Sequence, residues 1–262
     1  MRLGRVLYEG EACEVSVECN GYLIMSPAER AGTLVSEPDA VLLPPVVPGK
    51  ILGVGWNFRE HIKEMEVRRG GGEAVVAAPA EDVPPPILFF KPSSSLIGHG
   101  DAIVYPLDAT RVEYEGELAV AIARDTRRVT PEEARYAVLG WTCANDVTER
   151  DLQGQDKQWW RAKGMDTFAV AGPFLETETP GTDAWIRTRV NGVVRQEGQV
   201  GDMIRDPFEI ISLISRSMTL QRGDLIMLGT PPGVGELQPG DEVEVEIDGV
   251  GYLRNPVRPE GE

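Results

Sequence analysis

Residues 113–122 read EYEGELAVAI, and no other run limits the fold as strongly. Alternate residues of a β-strand share a face, so Glu113, Glu115 and Glu117 point together. Beyond them both faces become apolar, which means that the strand leaves an acidic mouth and runs into a core. Carboxylates crowded at such a mouth repel one another unless a cation holds them. A solvated strand face is the alternative reading of the same spacing.

The rest of the chain is strand-rich as well. Short β segments at residues 5–8, 13–17 and 22–25 precede the proline-rich stretch at 43–49, which reads as a linker because proline stiffens the backbone and removes ladder donors. The expectation is a small N-terminal β module over residues 1–47 and a main domain over 48–262. In the latter, apolar strands are predicted at 51–55, 87–90, 102–105, 116–123 and 137–144. Asn191-Gly192 between two valines marks a type I′ hairpin. Residues 243–247 and 250–253, joined by Asp248-Gly249, read as a second one. One amphipathic helix is predicted over 207–219, capped by Asp206, with Phe208, Ile211, Leu213, Ile214 and Met218 as its buried stripe. A polar helix fits 57–69, and the low-complexity stretch that follows to Pro86 reads as a loop. Strands do not alternate with helices, so a βα barrel or Rossmann layout is disfavoured and a β-rich mixed α/β fold is expected.

Composition narrows the partners. The net charge of −16 over 262 residues opposes nucleic acid and anionic membrane surfaces, since phosphate binding needs clustered cations. An anionic substrate would need local cations to overcome that field. Three cysteines, an odd number without knuckle spacing, argue against a disulfide framework and exclude a zinc finger. No apolar run reaches the ~18 residues of a membrane span, and residues 1–10 lack the apolar stretch of a secretory signal, so a cytoplasmic protein is expected.

Four further stretches carry candidate chemistry. If a helix begins near Asp146, then Asp146, Arg150 and Gln153 share one face, setting a carboxylate, a guanidinium fork and an amide into one cleft; a capped surface helix with an Asp–Arg pair is the bland alternative. His61 and Glu64, at i and i+3, place a carboxylate where it can orient an imidazole. His99, between two glycines, is read as a turn residue. Lys91 and Lys163 stand in marked contexts, and Lys163 could supply positive charge to an anion, a solvated lysine or one packed on Trp159 or Trp160 being the default. The loop at 228–235, LGTPPGVG, lacks the Lys-Ser/Thr of a phosphate loop and reads as a tight ligand-lining turn.

Taken in order, GWNF (55–58) with His61 and Glu64, FFKPS (89–93), YEGEL (114–118), NDVTERD (145–151), KGMDT (163–167) and GTPPGVG (229–235) resemble the fumarylacetoacetate hydrolase family over roughly 50–257. The resemblance implies mixed sheets rolled into a β-sandwich or barrel-like core, usually in a homodimer. It implies one divalent cation, Mg²⁺ with Mn²⁺ or Ca²⁺ as alternatives, on Glu115, Glu117 and Asp146. Glu113 is left as a neighbouring or solvated acid. Arg150, Gln153, Lys163 and Thr230 would line a pocket for a small anionic 2-oxo acid, with His61 and Glu64 on a segment that orders over it. A cation holding the carboxylate and keto oxygen of such an acid stabilises an enolate. From there isomerisation, decarboxylation and carbon–carbon hydrolysis compete. The similarity leans towards isomerases of 2-hydroxyhepta-2,4-diene-1,7-dioate in homoprotocatechuate breakdown. Trp56 stands where acylpyruvate-hydrolysing relatives tend to carry Arg, which places hydrolysis second and oxaloacetate-type decarboxylation third. A catalytically silent metal-binding module is the reading from a different class.

Overall fold

The computed structural model describes residues 1–68 and 85–261. Strands dominate and fall into three sheets. The largest has twelve strands, ten of them in the order Leu34–Val35, Gly21–Ser26, Glu11–Glu18, Arg2–Tyr8, Ala169–Glu176, Val138–Asp146, Gly116–Ile122, Leu225–Met227, Ile51–Gly55 and Ile87–Lys91. Five strands, from Val193–Gln199 through Trp185–Val190, Glu242–Ile247 and Gly251–Pro259 to Ile103–Tyr105, form a second sheet. Thr148–Glu149, Val112–Tyr114 and Gly235–Glu236 form a small third one. Among the described residues the sheets are open layers, so the expected rolled core is not a closed barrel.

Gly116–Ile122 sits where the layers meet, and all seven of its residues are buried. Leu118, Val120 and Ile122 join the largest core cluster, together with Ile186, Val243 and Val245 of the five-stranded sheet. Ala119 and Ala121, on the opposite face, pack in a second cluster with Ile51, Ala144, Ala169 and Ala171. The doubly apolar run is therefore covered on both sides. Each fully buried Val, Leu or Ile contributes about 1.5–3 kcal/mol relative to exposure, so this strand is a rigid platform for whatever its acidic end carries.

Local signals form much as expected. The helix Pro207–Ser217 starts at Asp206, whose side chain accepts from the N–H groups of Phe208 and Glu209 at 2.8 and 2.9 Å in a capping box. It ends before Met218, whose backbone is extended, and it buries Ile210 rather than Leu213. Asn191 and Gly192 take φ of 53° and 76°, as a type I′ turn requires. The second hairpin has a longer connection than expected. Ile247 pairs with Gly251, and Val250 turns into the core instead of starting the strand.

Residues 2–43 contribute five strands around a cluster of their own, which includes Val6, Val15 and Ile24. Arg2–Tyr8 hydrogen-bonds Ala169–Glu176 with Leu3 opposite Leu175, so these strands extend the large sheet. The proline-rich stretch that follows forms no strand and inserts Val46 into the core. Among the described residues no helix is long and apolar enough to cross a membrane.

Candidate active site

The acidic end of the central strand meets the end of its neighbour. Gly116–Ile122 runs antiparallel to Val138–Asp146, with Gly116 opposite Asn145 and Glu117 opposite Ala144. The Asp146 N–H donates to the Glu115 carbonyl, and Asn145 Oδ1 accepts from the Glu115 N–H, both at 2.9 Å. This register brings the buried carboxylates of Glu115, Glu117 and Asp146 together, with one oxygen of each within 4.8 Å of the others. Asp146 does not begin a helix, contrary to the spacing argument. It stays in the ladder opposite Ala169, and Thr148–Glu149 pairs with Val112–Glu113 before the helix Arg150–Gln155 starts. Glu149 caps that helix by accepting from the Leu152 N–H. Arg150 and Gln153 do share the helix face and are buried, and the fold rather than the helix sets Asp146 in the same cleft.

Three cations serve this cluster. Lys163 Nζ donates to Glu115 Oε2 and to Asp146 Oδ2, each at 2.7 Å, and lies 5.0 Å from the centre of the Phe89 ring rather than on Trp159 or Trp160. Lys91 Nζ donates to Asp146 Oδ1 and, at 3.1 Å, to the Val147 carbonyl. Arg150 donates from Nη2 to Glu115 Oε1 at 2.6 Å, from Nη1 to Gln153 Oε1 at 2.6 Å, and from Nε to Glu113 Oε2 at 2.8 Å. Burial disfavours the Lys163 ammonium, but Asp146 and Glu115 outweigh it and raise its pKa. Burial pulls Lys91 down to about 8 against the attraction of Asp146. Burial would raise Glu115, yet Lys163 and Arg150 hold it far below the usual carboxylate range.

Glu117 is the exception. Burial, followed by the charges of Asp146 and Glu115, drives its carboxyl well above the ordinary value. Its hydrogen bond comes from the Gly229 N–H at 2.7 Å, and no ion pair of the described residues reaches it. Three buried carboxylates, one of them without a bonded cation, make a hard-oxygen donor set with one acid left uncompensated. That chemistry fits a divalent cation such as Mg²⁺.

The cleft is closed from above by the helix Arg59–Arg68 and the 229–235 loop. His61 Nδ1 stands 3.4 Å from Glu64 Oε2, and Glu64 also accepts from the Gly233 N–H at 3.0 Å. Burial works against the Glu64 charge, but these hydrogen bonds and Arg68 hold its pKa below the usual value. Thr230 Oγ1 donates to the Gly116 carbonyl and accepts from Gln196 Nε2, both at 2.8 Å. Gly229 has φ of 99°, and a Cβ there would lie 2.9 Å from that of Asn57, so only glycine delivers its N–H to Glu117. His61, Arg150, Gln153, Lys163 and Thr230 all line one cleft around the acid cluster. Trp56, Phe89 and Trp159 supply its apolar wall, with Trp56 held at φ 63°, a conformation uncommon for a bulky side chain.

Residues 50–258 match the fumarylacetoacetate (FAA) hydrolase C-terminal family. The chain belongs to that family. A 5-carboxymethyl-2-hydroxymuconate delta-isomerase from Mycobacterium smegmatis is 38% identical and superposes with a TM-score of 0.87 over 100% of both chains. A 2-hydroxyhepta-2,4-diene-1,7-dioate isomerase from Mycobacterium marinum is 35% identical with a TM-score of 0.86, again over 100% of both chains. The oxaloacetate tautomerase YisK of Bacillus subtilis is 36% identical over 246 residues, 88% of this chain and 78% of the relative.

Within this family fold, sequence reasoning missed three residues that the site uses. Lys91 is marked by its context but given no role; its place at the end of the apolar run 87–90 was the available signal. Gln196 is buried after three exposed residues of its strand, and its Oε1 accepts from the Gly116 N–H at 2.9 Å. Glu113, left open between a neighbouring and a solvated role, is buried against arginines. His99 accepts from the Arg254 N–H at 3.1 Å, away from the cleft. Most of the low-complexity stretch after Arg68 lies outside the described residues.

Proposed function

We propose that the protein is a divalent-cation-dependent isomerase that moves a proton between carbon and oxygen of a 2-oxo or 2-hydroxydienoic diacid, with 2-hydroxyhepta-2,4-diene-1,7-dioate as the first candidate. The observation that carries this reading is the buried Glu115–Glu117–Asp146 cluster in one cleft with Lys163 and Arg150. The relatives named above add support: two are named as isomerases of hydroxylated dienoic acids with two or three carboxylates and one as a tautomerase of a shorter 2-oxo diacid.

Glu115, Glu117 and Asp146 would hold the cation, which when bound supplies a Lewis acid to the oxygens of the 2-oxo acid. Arg150 still has N–H donors beyond its three bonds to Glu113, Glu115 and Gln153, and these bind the substrate carboxylate. Lys163, kept as an ammonium, faces the oxygen on which negative charge develops. The His61 ring, oriented at Nδ1 by Glu64, leaves Nε2 to take or return a proton. The Trp56, Phe89 and Trp159 wall keeps competing water out.

Incubating the protein with Mg²⁺ and a panel of 2-oxo diacids in D₂O tests the reading. Deuterium enters the carbon next to the keto group, and EDTA stops it. No incorporation with Mg²⁺, Mn²⁺ or Ca²⁺ across the panel leaves a silent metal-binding module. Carbon–carbon hydrolysis of acylpyruvates is the second reading, favoured by the His61–Glu64 pair in the cleft, which can activate water.

A further inference from the structure

The three glutamates of the opening run divide their labour. Glu115 and Glu117 join Asp146, whereas Glu113, 2% exposed, pairs among the described residues with arginines. Its Oε2 takes the Nε–H of Arg150 at 2.8 Å, which fixes the plane of the guanidinium whose other nitrogens reach Glu115 and Gln153. Its two oxygens also accept from Arg68 Nη1, at 3.3 and 3.4 Å. Arg111, half exposed, approaches at 3.6 Å but is shared with Asp151.

Arg68 matters because of what it carries. It ends the ten-residue helix Arg59–Arg68, in which only His61 and Ile62 are buried. Apolar burial therefore secures the start of this helix and leaves its second half to polar contacts. His61, Glu64 and Arg68 lie at i, i+3 and i+7, on one face. Arg68 Nη2 bonds Glu64 at 3.0 Å and also the Val234 carbonyl, while Glu113 receives Nη1.

We propose that Glu113 is a positioning residue, a buried carboxylate that sets the Arg150 guanidinium and, through Arg68, holds the helix bearing His61 and Glu64 on the cleft. The inference rests on the cleft being the catalytic site, as proposed above. Glu113 reaches the acid cluster through Arg150, which also bonds Glu115, and it couples the two groups that face the substrate from opposite sides.

Amide exchange in the intact protein, read on peptides from residues 59–68, tests the coupling in Glu113→Gln, Arg68→Gln and the double variant. Arg68→Gln speeds exchange there about tenfold, the scale of losing one charge-assisted anchor. Glu113→Gln speeds it by a smaller factor, and the double variant exchanges no faster than Arg68→Gln alone, because Glu113 holds the helix only through Arg68. Lys63→Ala, which breaks only an exposed pair with Glu60, stays at the wild-type rate. Exchange at the wild-type rate in Glu113→Gln, or additive effects in the double variant, overturns the helix half of the proposal. For the other half, the Arg150 Nε–H resonance, protected in wild type, broadens into solvent exchange in Glu113→Gln and persists in Arg68→Gln; its persistence in Glu113→Gln overturns that half. With an active substrate in hand, Glu113→Gln raises KM about tenfold and lowers kcat by a smaller factor than Arg68→Gln, which leaves KM unchanged. A protein that turns over no 2-oxo diacid defeats the proposed function, while the exchange and resonance readouts still decide the role of Glu113.

Discussion

The cleft has two walls made by different physics. On one, the carboxylates of Glu117 and Asp146 stand on adjacent, mostly buried strands, and Asp146 and the neighbouring Glu115 are locked by Lys91, Lys163 and Arg150. On the other, His61 and Glu64 ride a helix with two buried residues, held by ion pairs and by N–H and carbonyl groups of the 229–235 loop. The strand wall gives geometry that a metal site needs, since oxygen positions must not drift. The helix wall gives a group that can engage and release, because its attachment is local and of low stability. Rigid strands hold charge, and a lightly held helix brings the acid–base pair.

The largest effect comes from breaking the rigid wall. Asp146→Ala should abolish Mg²⁺ binding in calorimetry and the activity with it. It also leaves the Lys91 and Lys163 ammonium groups buried without this carboxylate, which costs about 3–5 kcal/mol in chemical denaturation. A variant of wild-type stability would mean that the strand wall is not locked by charge. His61→Ala strikes the other wall and should lower turnover about 100-fold while the denaturation midpoint barely moves. If two activities are found, hydrolysis should fall further than isomerisation, since only hydrolysis needs an activated water; equal losses would remove that distinction.

The smallest effect sharpens the contrast by pH. Glu64 has its folded pKa below the unfolded value, so it adds stability above the unfolded value that is lost as pH falls through the folded one. Amides of residues 59–68 should therefore lose protection on acidification before the strands do. Glu64→Gln should flatten that dependence, and an unchanged acid profile would show that another group holds the helix. Salt should act in the same direction, because the Arg68 pairs are partly exposed and screened.

How much of this was legible before the fold was known depended on the range of the signal. The capped helix after Asp206, the Asn191-Gly192 turn and the doubly apolar strand were readable because a few neighbouring residues decide them. The family motifs named the acids, Arg150 and Lys163, and the His61–Glu64 pair. The spacing argument for Asp146 failed because its backbone is claimed by ladder bonds to a strand more than twenty positions away, and a local helical pattern cannot compete with that. Lys91 and Gln196 were invisible in their roles, since their partners lie 55 and 80 positions away.

The amino-acid order by itself determined the strand-rich character, the turns and caps, and the presence of acids at the mouth of a core strand, all consequences of steric and hydrogen-bond preferences within a few residues. Only the tertiary structure decided which acids share a centre and which one binds arginines. Sheet register sets those distances, and at a few ångströms inside a low-dielectric core, distance decides whether a charge is held, neutralised or paired.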